Sequence, residues 1–454
     1  MRRRRLPLVR WLLLSSACGR PETEGWVSCA ADPANPTLGG CQVALAVPGE
    51  FAIELTDGEE TVQFSAEIAA GGVNVPLWGL VAGEEWQWTA LDGPRVAQGT
   101  FESGDLPMEV GVEVSGAAPS TLVQVLVPYD CAPGAFATVL DAGGRVRWTA
   151  DSGRRDIDMA QFTEAGTVVL IADKSAVVEI DLLGRFLLDR DDFDLPLHHD
   201  VFRRGDRIYT FLANAWTEGD GLSYVEDIVV ALDLAGNEQW RWDEHGALDA
   251  TLAEPNTSAF WSSRFPGSID AWHSNALFPT ETGDVLVSLR RESTVVRVSG
   301  ADQSIAWVLA GDGVGRVFPS DFSLVDGAGA AAFGGQHHVA LLPDGHLTVF
   351  DNDHARGLEL ALDPGAGTAT WVGEWPVDAP CEIQSSVFPL EGGHRLVTCA
   401  TRHELTEFDE TGTPGRRLVL SCPDGAPVPR TARGQPIDLW ADVTVDGVRA
   451  TRIR

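Results

Sequence analysis

Positive charge is scarce in this sequence. Its 454 residues carry 33 Lys and Arg against 66 Asp and Glu, a formal net charge of -33. A polyanion would be repelled over most of such a surface, which argues against nucleic acid as a partner. Broad anionic ligands are disfavoured for the same reason, although a buried cationic pocket still accommodates one small anion. Long apolar runs are missing as well: after the first residues, nothing is long and apolar enough to span a bilayer. No Cys-x-x-Cys or Cys/His spacing points to zinc. Neither a metal nor a cofactor is expected.

What is present is turn chemistry. Gly 48, Pro 26 and frequent β-branched runs point to an all-β chain with many turns. With 44% hydrophobic residues the chain has material for a sizeable core, and its length predicts roughly two or three domains.

The N-terminus has a basic run, Arg2–Arg5, then the apolar Leu6–Leu14 interrupted by Arg10, then Ser15-Ser16-Ala17 before Cys18. This resembles a bacterial lipoprotein signal over residues 1–17, with Cys18 lipidated and a lipid anchor to the membrane; an ordinary secretory signal is the alternative. Either reading exports the protein. Of seven Cys, setting Cys18 aside leaves six, an even number that fits disulfides. Cys29–Cys41 is the expected pair, and the other pairings stay open.

Residues 18–36 read as a tether. Residues 37–118 alternate in short runs with turns such as Asp57-Gly58, which predicts a small β-sandwich. Residues 119–454 show a repeat: a hairpin around a Gly turn, a third strand, and an Asp-x-x-Gly-like turn into a fourth. Copies begin at Asp158, His199, His273, His337 and Ser385. A sixth copy is expected from both ends, with 126–148 giving its outer half and 439–453 its inner hairpin. The expected fold is therefore a six-bladed β-propeller closed by its termini and preceded by the sandwich. Trp148, Trp240, Trp307 and Trp371 are expected to pack between blades.

Counting back from the hairpin glycines locates candidate site residues. His337 precedes Gly345 by eight, His273 precedes Gly283 by ten, and His199 precedes Gly205 by six. Even differences preserve the strand face, so the three imidazoles should converge on one axial cavity. Arg290 lies nearby. His198 and His338 should face the other way, in orienting or packing roles. The insertion 311–335 is expected to form a lid or rim.

Trp272-His273-Ser274-Asn275, Val287-Ser288-Leu289-Arg290, Gln336-His337 and Phe350-Asp351-Asn352, with His198-His199-Asp200 upstream, resemble the aryl sulfotransferase family of exported bacterial propellers. The resemblance implies His337 as a sulfated nucleophile, His199 and His273 as assisting histidines, and Arg290 as the anion-binding group. Asn275 and Asn352 would bind substrate. His338 stands where the family has Asp, and Arg290 comes one residue earlier than usual. If that Asp orients the nucleophile, its loss would alter the tautomer.

These residue types suit sulfuryl transfer from a phenolic sulfate ester to a phenol: an in-line nucleophile, cations around an anionic centre, and imidazoles to move protons. A non-catalytic propeller binding a small anion or a partner protein is the alternative. A quinone-cofactor propeller fits less well, lacking an eight-blade repeat and a metal–carboxylate set.

Overall fold

The computed structural model describes residues 26–45, 47–91, 97–106, 108–116, 120–131, 134–252, 260–326, 330–423, 433–441 and 443–453. The signal and the lipidation of Cys18 lie outside the described residues.

The chain is almost wholly β, and six sheets of the repeat region share one plan. Their first strands are Gln124–Cys131, Ile157–Phe162, Leu197–Arg204, Ser274–Pro279, His337–Leu341 and Ser386–Pro389. Each is followed by antiparallel neighbours in chain order, and these first strands lie side by side from sheet to sheet. Val125, Val127 and Leu140 pack on Leu396, Leu405 and Leu418, bringing the last sheet against the first. The result is propeller-like.

The turn chemistry recurs as expected. At Asp141, Asp181, Asp233 and Asp409 the carboxylate accepts backbone N–H groups within the turn, and a glycine at positive φ follows three residues on. An Asx carboxylate pins the turn, and glycine takes the left-handed backbone without a Cβ penalty.

Closure of the ring differs from expectation. Residues 124–151 supply three strands, and a single C-terminal strand, Gln435–Ile437, pairs with Gln124–Cys131. The expected closing hairpin, Thr444–Val445 with Val448–Ile453, adds instead to Thr61–Ile68 in the N-terminal region. Its alternation predicts a hairpin but not which sheet edge receives it. Trp440 decides that locally: its indole donates to the Trp78 carbonyl, and Trp78 donates to Leu439 O.

The N-terminal region has two sheets. Trp26–Ala31, Leu38–Leu45 and Gly71–Trp78 form one, so the stretch read as a tether is strand from Trp26 onward. Cys29 and Cys41 face each other in that pairing and are bonded. Gly111–Ser115, expected in the sandwich, extends the last repeat sheet beside Pro414–Ser421. One apolar core runs from Phe51, Ile53 and Trp86 to Trp148, Leu170 and Val178. Across it the fully buried Arg147 pairs with Asp57 and Asp141.

Two further disulfides join Cys131 to Cys422 and Cys381 to Cys399. Among the described residues no helix is long and apolar enough to cross a membrane. Both facts are compatible with export.

Trp148 is buried and donates to Leu182 O of the next sheet, and Trp307 is buried against Phe322. Trp371 departs from expectation, being 39% exposed. None of the described residues of 311–335, expected as a lid or rim, lines the cavity: Ser323–Val325 pairs with the outer strand Thr368–Pro376, and Phe322 and Phe333 join the core.

Candidate active site

The three repeat histidines meet. The His199 ring centroid lies 4.9 Å from that of His273 and 6.3 Å from that of His337. They line a cavity of about 380 Å³ with Asp158, Lys174, Phe260, Arg290, Arg291, Ile383 and Gln384.

Local backbone irregularity aims these side chains. The inner strands bulge at this end: Asn275 is unpaired between Ser274 and Ala276, and His338 between His337 and Val339. His199 sits in the corresponding break between His198 and Val201. His199, His273 and His338 all have positive φ, at 58°, 55° and 50°. Such backbone is costly for bulky residues and collects at functional sites. Parity counting therefore gives the right convergence, but the bulges, not an unbroken pleat, set the directions.

His337 is buried, and its Nδ1 lies 2.8 Å from Asn352 Oδ1. The Asn352 amide nitrogen donates to Cys381 O at 2.6 Å and Gln384 O at 3.2 Å. With both amide protons engaged, the oxygen must face the ring. His337 Nδ1 therefore carries the proton and Nε2 keeps its lone pair. Burial pushes the His337 pKa down to about 3, assisted by the Arg290 charge and His273 and opposed by the Asn352 hydrogen bond. The imidazole is neutral at ordinary pH.

His273 Nδ1 lies 2.6 Å from Asp270 Oδ2, a carboxylate that also faces an Arg291 guanidinium nitrogen at 3.4 Å. His199 is held from behind by two residues in series: its Nδ1 is 2.7 Å from His198 Nδ1, and His198 Nε2 is 3.2 Å from Asp227 Oδ1. A carboxylate oxygen at that separation favours a proton on His198 Nε2. His198 Nδ1 then accepts from His199, leaving His199 Nε2 as the bare nitrogen. Burial, then the neighbouring His273, His198 and His337 and the Lys174 charge, hold His199 well below its ordinary pKa. Glu244, buried beside Asp227, is raised well above the carboxylate range by burial and that neighbouring charge. Ser274 bridges the two acids, its N–H on Asp227 and its hydroxyl on Glu244.

Arg290 and Arg291 both line the cavity, although successive residues of a regular strand face opposite ways. They lie just past the strand Val285–Leu289, where the pleat has ended. Arg291 is tied to Asp270, whereas Arg290 makes one long contact, to Glu382 O at 3.4 Å. Burial and the adjacent Arg291 charge lower the Arg290 pKa.

Asn275 and Asn352 are not among the described lining residues, and both support the site from behind. Asn275 donates to Gln336 O at 2.8 Å, fixing the backbone just before His337. The bulged His338 turns away from His337: its Nδ1 accepts from Val387 N–H at 3.3 Å, and its ring packs on Phe388. Burial and then the Arg433 charge hold its pKa well below the ordinary value. Asn352, not His338, fixes the His337 tautomer. Asp200, beside His199, is paired in bidentate fashion with Arg433 and stays out of the cavity.

A family model described as Arylsulfotransferase (ASST) matches residues 122–378, more than half of the chain. The chain belongs to this family. The match spans all three cavity histidines, Arg290 and Asn352, and membership supports aryl sulfotransferase activity in general. No curated protein matches the sequence.

Among solved structures, a protein of unknown function from Bacteroides caccae is similar at 13% identity and a TM-score of 0.40, covering 70% of this chain and 100% of that one. Virginiamycin B lyase from Staphylococcus aureus with quinupristin is similar at 8% identity and 0.38, covering 68% and 88%. A 6-phosphogluconolactonase-like protein from Bacteroides fragilis gives 16% and 0.34, covering 86% and 98%.

Within the arylsulfotransferase framework, several cavity residues carry no motif signal. Phe260 and Lys174 of the lining, and Asp270 behind His273, lie outside every motif. Asp158 shares the repeat offset of His337 and was in that sense visible. Lys174 had a simpler signal: it is the only lysine in the sequence.

Proposed function

We propose that this arylsulfotransferase-family chain moves a sulfuryl group from a phenolic sulfate ester to a phenolic acceptor through a sulfohistidine at His337. One observation carries the reading. The Asn352 amide, with both protons committed, leaves His337 Nε2 as a bare nucleophilic nitrogen in a cavity lined by Arg290, Arg291 and Lys174.

In the first half-reaction His337 Nε2 attacks sulfur. The N–S bond forms, the S–O bond to the aryl ring breaks, and the phenolate takes a proton from His273 Nε2. Asp270 at Nδ1 supports the imidazolium that begins this step. In the second half, an acceptor phenol returns its proton to His273 as its oxygen attacks sulfur, and His337 regains its lone pair. Two such steps replace one harder displacement.

Arg290 has a guanidinium fork without a carboxylate partner among the described residues and is suited to the sulfuryl oxygens. His199, held neutral, lines the cavity beside His273 and adds no charge there. We read the six sheets as six blades around the axis on which these groups converge. In this reading the preceding sandwich docks on the first two blades, and the chain is exported, with Cys18 as its lipid attachment point.

The test is release of nitrophenolate from 4-nitrophenyl sulfate in the presence of phenol, with a mass search for a sulfated His337 peptide after rapid quench. Release by the wild type, its loss in His337→Ala, and the trapped peptide are expected. Absence of release from the wild type would sink the assignment.

A further inference from the structure

We propose that Lys174 forms a second anion subsite at this cavity, selecting phenolic substrates whose ring bears a carboxylate. The inference rests on the functional reading above and adds to it the class of ring recognised.

Lys174 sits at the tip of the turn between Thr167–Ala172 and Ala176–Asp181, where Asp173 and Lys174 have φ of 52° and 53°. Two successive left-handed residues make a stiff hairpin turn. Lys174 O also accepts the Leu197 N–H at 2.9 Å, tying the turn to the strand that bears His199. The side chain is thus presented from a fixed base. Its ammonium lies 4.4 Å from the Phe260 ring centroid.

Among the described residues no carboxylate forms an ion pair with it. Asp173 next to it is turned the other way, accepting backbone N–H groups of Arg155 and Asp156. In a chain with net charge -33, the sole lysine lines a cavity that also holds Asp158, and with no ion pair among the described residues it leaves a cation for a ligand.

The subsite is separate from the sulfuryl position. Lys174 sits over the Phe260 ring, which also contacts His199, whereas the Arg290 guanidinium reaches Glu382 O, so the two cations enter the cavity beside different partners. Phe260 also faces the histidines, its centroid 4.7 Å from His199 and 5.5 Å from His273. A substrate with its reacting oxygen at the histidines would lay its ring against Phe260 and reach Lys174 with a ring substituent. An anionic substituent there gains a charge-assisted hydrogen bond, and a cavity of about 380 Å³ suits one aromatic ring with its groups.

The discriminating pair is a hydroxybenzoate and the matching hydroxybenzamide, of equal size and differing in charge. With 4-nitrophenyl sulfate as donor, the wild-type kcat/KM for 3- or 4-hydroxybenzoate should exceed that for its amide about tenfold. Lys174→Met should bring that ratio to about one, and Lys174→Arg should restore most of it. A wild-type ratio of one for both isomers, or equal losses on acid and amide in Lys174→Met, overturns the subsite.

Failure of the functional reading is seen separately, as no transfer to phenol itself. Binding is then read without turnover. Amine acylation at Lys174, followed by peptide mass spectrometry, should be slowed by the hydroxybenzoate and not by the amide. Equal labelling with and without the hydroxybenzoate overturns the proposal.

Discussion

Asn352 Oδ1 lies 2.8 Å from His337 Nδ1, and this contact decides which imidazole nitrogen carries the proton and which keeps its lone pair. The amide is fixed in turn by carbonyls of Cys381 and Gln384. Asn352→Ala should lower kcat roughly 10–100-fold, the worth of a hydrogen bond that orients a reacting group, with little change in KM. Steady-state kinetics check this, and an unchanged kcat would remove Asn352 from the machinery.

His338→Asp restores the residue that the family resemblance places after the nucleophile. Because His338 contacts Val387 and Phe388 instead of His337, the tautomer should survive. The expected kcat lies within about threefold of the wild type, because the Asn352 contact to His337 is untouched. A gain of an order of magnitude would mean that the residue after His337 does orient it. Circular dichroism should accompany the kinetics, since the new carboxylate is buried near Arg433.

Much of this was readable from residue order. The three histidines recur at matched repeat positions, and the Asp-x-x-Gly turns announce their own geometry. Other features arise from contacts far apart in sequence. The edge that receives Val448–Ile453 depends on Trp78 and Trp440, 362 residues apart. That Arg290 and Arg291 share one cavity depends on where a strand ends. Asn275 and Asn352 were assigned to substrate because motifs show which residues gather, not which stand behind the others.

Asp270→Asn should remove the charge that stabilises protonated His273 while keeping the shape of the contact. A loss of about 10²–10⁴-fold in kcat is expected, the range for a positioned acid–base group. Donors with more acidic leaving phenols need less proton assistance, so the defect should shrink along such a series. A defect independent of leaving group would assign Asp270 to structure alone.

The Cys381–Cys399 disulfide closes a short loop whose Cys381 carbonyl holds Asn352. Replacing both cysteines by alanine should cost about 3 kcal/mol on the chain-entropy account of an 18-residue separation. It should also lower kcat at temperatures where the protein remains folded. A lower melting temperature with unchanged kcat would show that the carbonyl needs no brace.

The depressed pKa of His337 makes a signed prediction about stability. The unfolded imidazole takes a proton near 6.5, whereas the buried one waits until about 3. Between those values the unfolded state binds more protons, so stability falls as pH is lowered through the window, by about 1.4 kcal/mol per pH unit for one fully resisting histidine. Above 6.5 neither state holds that proton and the term vanishes. His337→Gln removes this one titration while leaving the carboxylates that titrate in the same range. Chemical denaturation at pH 7, 5.5 and 4.5 should therefore show a shallower acid loss in the variant, by up to one proton. Parallel pH profiles for the two proteins would mean that His337 charges as readily in the folded cavity as in water, and the neutral nucleophile would go with it.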